Sequence, residues 1–153
     1  MAKPINTAIL KDLMMDHVPY EVSMMRATHD GLIQGLPPGT CSNAYIESFA
    51  IHARSLINFL NGKDGCRATD FANDYVPFAG DRVPKRLIDK LNQQIPHITE
   101  KRFNSPEEKL NGEDINELRR RLDAELGYFL VHMKPAYKEI WDTKKGHLRP
   151  WTT

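Results

Sequence analysis

Apolar residues recur along most of this chain at steps of three and four, the spacing that stacks side chains on one face of an α-helix. The clearest case runs from Ser42 to Gly62. Ile46, Phe49, Ala50, Ala53, Leu56, Ile57 and Leu60 share one face, with Ser42 as the expected N-cap and Gly62 as the expected stop. Before it, the pattern predicts a helix from about Asn6 to Asp16 on Ala8, Ile9, Leu13 and Met14. A second runs to about Gln34, with Pro19 in its first turn and Val18, Val22, Met25, His29, Leu32 and Ile33 on its face. The run Gly35-Leu-Pro-Pro-Gly39 stops it. An irregular stretch, about 63–83, follows the central helix; Phe71, Tyr75, Val76 and Phe78 say that it packs against the core.

Pro84 opens a further helix with Leu87, Ile88, Leu91 and Ile95, and Pro96 should end or kink it. The last long helix starts near Gly112, with Glu113 and Asp114 suited to its positive end. It carries Ile115, Leu118, Leu122, Leu126, Phe129 and Met133 before an expected kink at Pro135. Strand-like alternation is not sustained anywhere. The expectation is an all-α helical bundle of four or five main helices with one packed irregular loop. Residues 1–153 form a single domain, with a short basic C-terminal tail.

Composition narrows the function classes. Lys and Arg number 21 against 20 Asp and Glu, for a formal charge of +1, so bulk charge gives no pull towards nucleic acid or an anionic membrane. The N-terminus lacks the apolar run of a secretory signal, and no stretch approaches the roughly 20 apolar residues of a membrane span, so the expectation is a cytoplasmic protein without membrane contact. Cys41 and Cys66 have no metal-knuckle or redox spacing and read as reduced thiols.

Candidate chemistry lies at the edges of the helical faces. On the central helix, Asn43, Glu47, Arg54, Asn58 and Asn61 form a polar flank, with Tyr45, His52 and Phe59 opposite. On the last long helix Arg121, Glu125, Tyr128 and His132 follow at steps of four, three and four, and an Arg121–Glu125 surface pair would account for two of them. Were His132 and Glu125 to face His52 across a helix interface, they would make a polar pocket. Glu47, His52, Arg54, Asn58, Glu125 and His132 are therefore the candidate binding residues. Six histidines, His17, His29, His52, His97, His132 and His147, lack metal-ligand spacing, so neither metal nor cofactor is expected. Arg119 to Arg121 and the basic tail offer small cation clusters for an RNA contact. Met14, Met15, Met24 and Met25 suggest an adaptable edge for a homodimer or another protein partner.

The segment Glu47-Ser-Phe-Ala-Ile-His-Ala-Arg-Ser-Leu-Ile-Asn-Phe-Leu60, with Leu91-Asn-Gln-Gln-Ile-Pro-His-Ile-Thr99 further on, looks like small bacterial helical proteins and, more remotely, resembles HEPN domains. The resemblance implies a helical bundle, often dimeric, whose active members are metal-independent ribonucleases with an Arg-x(4–6)-His motif. Here Lys90 and Asn92 precede His97 where the motif would have arginine, and Pro96 interrupts the helix. RNA cleavage through the 2′-hydroxyl would need His97 as base and Arg102 or Arg54 as the cation that stabilises phosphate charge. The departure from the motif orders the expectations: a non-catalytic binding or interaction domain first, a ribonuclease using His97 second.

Overall fold

The computed structural model describes residues 6–62, 65–78, 83–94, 107 and 109–144. It is an all-α bundle; among these residues the only strand-like pairing is an isolated antiparallel bridge between Ala72 and Met133. The described residues open on α1 (Thr7–Asp12), whose first turn is capped by Asn6 Oδ1 accepting from the Ala8 N–H at 2.9 Å. A π-helical turn (Leu13–His17) then runs straight into α2 (Val18–Ile33).

The two opening helices expected from the sequence are thus one continuous rod. Pro19 has no N–H, and its ring would crowd the carbonyl one turn earlier. The wider turn ahead of it, in which the Val18 N–H bonds the Leu13 carbonyl, carries the rod past that point. It also rephases the apolar face. Leu10, Met14, Val18, Val22, Met25 and His29 are buried at steps of about four, whereas Ala8 and Ile9, expected on that face, are exposed, as is Ile33 at the far end.

Gly35, at φ 83°, turns the chain out of α2, and Gly39, at φ 124°, leads it into α3 (Thr40–Asn61). The helix therefore starts before Ser42, which is not its N-cap. Ser42 stands in the first turn, where its hydroxyl accepts from the Gly39 N–H at 3.2 Å and lies 3.0 Å from the Gly39 carbonyl. Its other end is as expected, with Gly62 left-handed at φ 69°. Phe49, Ala50, Ala53, Leu56, Ile57 and Leu60 are all buried.

In the described part of the irregular region after α3, residues 65–67 lead into a single turn, α4 (Ala68–Phe71). Phe71 and Tyr75 pack into the core and Phe78 is half-buried, while Val76 is exposed, contrary to expectation. Next come α5 (Lys85–Gln94) and α6 (Gly112–His132). Asn111 caps α6 reciprocally with Asp114: Asn111 Oδ1 accepts from the Asp114 N–H at 2.9 Å, and Asp114 Oδ2 from the Asn111 N–H at 3.2 Å. Pro135 does not kink α6. The helix ends at His132, Met133 is extended at ψ 135°, and Pro135 becomes the first residue of α7 (Pro135–Lys144), because helical geometry is disfavoured immediately before proline.

Helices α2 and α3 form a hairpin, and α3 packs next against α6 and α5. One apolar cluster runs from Leu10 through the hairpin and α6 to Trp141 on α7. Among the described residues no helix is long and apolar enough to cross a membrane.

Candidate binding surface

The polar candidates on α3 and α6 are held by different neighbours. His52 Nδ1 lies 2.8 Å from Glu21 Oε2 on α2, and the Tyr20 ring meets the imidazole edge-on at 5.6 Å. Glu125 is fully buried; its Oε1 accepts from the Tyr75 hydroxyl at 2.5 Å and from the Phe78 N–H at 3.3 Å. His132 Nδ1 donates to the Tyr128 carbonyl of its own helix at 2.8 Å, under a ring contact of 4.3 Å with Tyr128. No hydrogen bond or ion pair joins His52, Glu125 and His132 to one another. Glu47, Arg54 and Asn58 are half-buried on the other flank of α3, with no side-chain hydrogen bond or ion pair among the described residues. His97 and Arg102 lie outside the described residues, as do Ile95, Pro96 and the tail beyond Lys144.

Two carboxylates tie the start of α6 to α5. Asp114 accepts from Lys90 Nζ at 2.7 Å and from Arg86 Nη1 at 3.1 Å, and Arg86 also reaches Glu117. Burial pulls the Asp114 carboxyl up, but the Lys90 ammonium, the Asn111 N–H and Arg86 outweigh it and hold the group below its ordinary value of 3.8. Glu117 is held low above all by the hydrogen bond from Arg121, at 2.8 Å, with burial opposing and Arg86 assisting. The arginine triplet is therefore largely engaged. Arg119 and Arg121 are on carboxylates, and Arg120 is the exposed member. Cys66 is pushed up to about 11 by burial, with the Asp70 charge adding to it, which leaves a weakly nucleophilic thiol.

Sequence reasoning missed the densest polar cluster, a clasp between α2 and α6. Asp123 accepts from Arg26 Nη2 at 2.8 Å and also from Arg119. His29, read from its period as a core position, is indeed buried, yet both of its nitrogens have polar neighbours. Nε2 lies 2.9 Å from Asn116 Oδ1; Nδ1 lies 3.1 Å from Asp30 Oδ1 and 3.2 Å from Arg119 Nη1. The one signal in the sequence was the four-residue step from Arg119 to Asp123.

Beside this clasp the hairpin presents a groove of about 660 Å³ lined by Met24, Ala27, Asp30, Gly31, Ala44, Tyr45 and Ser48 among others. Small residues at Ala27 and Gly31 on α2, and at Ala44 and Ser48 on α3, keep it open. A Cβ at Gly31 would lie 2.4 Å from the Tyr45 ring, so the glycine is what lets that ring lie across the helix. Tyr20, Met24, Ala27 and Gly31 follow one another along α2, and Ala44, Ser48, Ile51 and Ser55 along α3, at steps of four, three and four. Neither row contains a charged residue, although 27% of the chain is charged, and Tyr20, Tyr45 and Ile51 are exposed on this side. Glu21, bound to His52, and Asp30, bound to Arg119, border the surface.

Among the described residues no three His, Cys, Asp or Glu side chains converge as a metal site. Comparison with protein-family models, with curated proteins and with solved structures finds no match to this chain.

Proposed function

We infer that this protein is a non-catalytic binding or interaction domain whose contact surface is the outward face of the α2–α3 hairpin. The observation that carries the reading is the uncharged double row along that face. Interface centres are depleted of charge and enriched in aromatic residues and methionine, and this face is uncharged and carries Tyr20, Met24 and Tyr45. With 16 residues in α2, the face is about 24 Å long and two helices wide, enough for a modest interface. Its occupant must itself be apolar and uncharged there. A second copy of the same face meets that condition, which carries the homodimer expectation forward on this surface instead of on the methionines, since Met14 and Met25 are fully buried.

The reading is tested with a photo-reactive benzophenone side chain in place of Ile51, and the same probe in place of the exposed Val131 on α6 as a control. Irradiation is expected to give one discrete adduct from position 51, none from position 131, and none once Ala27→Arg fills the groove. An adduct of twice the chain mass reports a second copy; another discrete mass reports a different partner. Equal labelling from both positions, or no adduct from position 51, overturns the reading. So does RNA cleavage in chelator that His97→Ala abolishes without changing the helical spectrum.

A further inference from the structure

His29 faces an ion pair: Arg119 Nη1 donates to Asp30 Oδ1 at 3.1 Å, and both atoms meet the same corner of its ring. Asp30 Oδ1 and Arg119 Nη1 lie 3.1 Å and 3.2 Å from the same ring nitrogen, Nδ1. These two contacts need different protonation states. A guanidinium N–H can donate only to a bare Nδ1, whereas Asp30 can only accept from an Nδ1 that carries a proton. On the other side of the ring, Asn116 Oδ1 at 2.9 Å accepts from Nε2–H in either state. The other polar and charged neighbours of the clasp are Arg26, whose carbonyl accepts from Arg119 Nη1 at 3.3 Å, and Asp123, which holds the guanidinium from behind. From α3 the ring meets Phe49, which brings no charge.

We propose that His29 is a proton-operated switch in the α2–α6 clasp, exchanging Arg119 for Asp30 as the partner of its Nδ1. In the neutral form Nε2–H donates to Asn116 and Nδ1 accepts from Arg119. Taking up one proton at Nδ1 converts that nitrogen into a donor, so it takes Asp30 Oδ1 from Arg119 Nη1, which gives up both Nδ1 and Asp30 while the Arg119 Nε stays on Asp123. The two contacts are nearly equal in length, so the proton at Nδ1 decides which of them is a hydrogen bond. Arg119 has somewhere to go, because Asp123 already binds it. Burial raises the Asp30 carboxyl, but the hydrogen bond from the protonated His29 and the charge and hydrogen bond of Arg119 bring it below its ordinary value; in the neutral state Arg119 alone is on it, so Asp30 is an anion in both states. Asp30 also lines the groove, so the exchange alters the groove's charged wall; that consequence alone rests on the interaction reading.

The experiment follows the ring ¹⁵N signals of His29 and the side-chain Nε–H of Arg119 by NMR from pH 8 to pH 5, on the intact protein without any ligand. At pH 8 the Nε2–H tautomer is expected. On acidification the Arg119 signal should move together with the ring signals, at one common midpoint. Asp30→Asn should carry that midpoint to lower pH and Arg119→Gln to higher pH, each by several-fold in proton affinity, while the helical spectrum is retained. An Nδ1–H tautomer at pH 8, a ring that does not titrate in this range, an Arg119 signal indifferent to it, or variants that both shift the same way would each overturn the switch. The groove reading would be untouched by any of these, since it is read separately from the photo-adduct at position 51.

Discussion

Asp114 combines two roles that its sequence position suggested only in part. It is the third helical residue of α6, so its backbone N–H is capped by Asn111, and its side chain returns the favour while also holding Lys90 and Arg86 of α5. A carboxyl whose folded value lies below its unfolded value of about 3.8 binds fewer protons folded than unfolded across that interval. Its contribution is therefore complete above the ordinary value and disappears as pH falls through the lowered folded value. Asp114→Asn should cost about 1–3 kcal/mol at neutral pH, since hydrogen bonds to charged groups are at stake. The gap between variant and wild type in chemical denaturation should close as pH falls below 3.8 and through the lowered folded value. A gap that persists unchanged in acid would mean that the side chain acts through packing or capping alone.

At the scale of elements, the segment after α4 is fixed to the end of α6 by a short ladder and one buried bond. The Asn73 N–H bonds the His132 carbonyl at 2.9 Å, the Lys134 N–H bonds the Phe71 carbonyl at 2.8 Å, and the Tyr75 hydroxyl reaches Glu125. Tyr75→Phe keeps the ring among Tyr128 and Phe129 but removes the donor, leaving a buried carboxylate oxygen short of one partner. A loss of about 1–3 kcal/mol is expected. Amide exchange should speed up at Asn73 and Phe78 before it does in the middle of α3, and uniform acceleration would contradict a local tether. This region also shows where reading the sequence succeeded and where it stopped. Phe71 and Tyr75 marked a packed loop, because aromatic residues do not sit free in water without cost. Glu125 read as the flank of a surface stripe because a helical period gives its angle and not its partner, and that partner lies 50 residues away. The central and last helices were legible from unbroken periods. The π-helical turn was not, because Pro19 is equally at home in the first turn of a new helix, and only the packing of Leu10, Met14 and Val18 on one side decides between them. Ser42 misled for a similar reason: a serine near a helix start can cap the turn that follows or, from inside the first turn, bond back to the residue before it. The His29 clasp required Asn116, Arg119 and Asp123 on α6 to meet Arg26, His29 and Asp30 on α2, a coincidence that no spacing within either helix encodes.

At the scale of the whole molecule, the apolar cluster leaves no helix with a core of its own. Leu10 and Met14 come from the opening rod, Phe49 and Leu56 from α3, Leu87 from α5, Phe129 from α6 and Trp141 from α7, all in one contiguous group. Phe129 illustrates the interlocking, with its ring 5.5 Å from Phe59 and 5.5 Å from Tyr75. When elements share their buried surface in this way, removing one exposes the others, and partial unfolding gains little chain entropy for the apolar area it gives up to water. Helix α7 is the most sensitive test, because it is last in the described chain and shares its apolar side with the π-helical turn near the other end. In a Trp151→Phe background the buried Trp141 reports on α7 alone, while far-ultraviolet circular dichroism reports on all the helices. The two urea transitions are expected to coincide in midpoint and slope. Fluorescence that changes at clearly lower urea than the helical signal would make α7 a separate, weaker unit, and the bundle would then owe its cooperativity to the α2–α3 hairpin with α5 and α6.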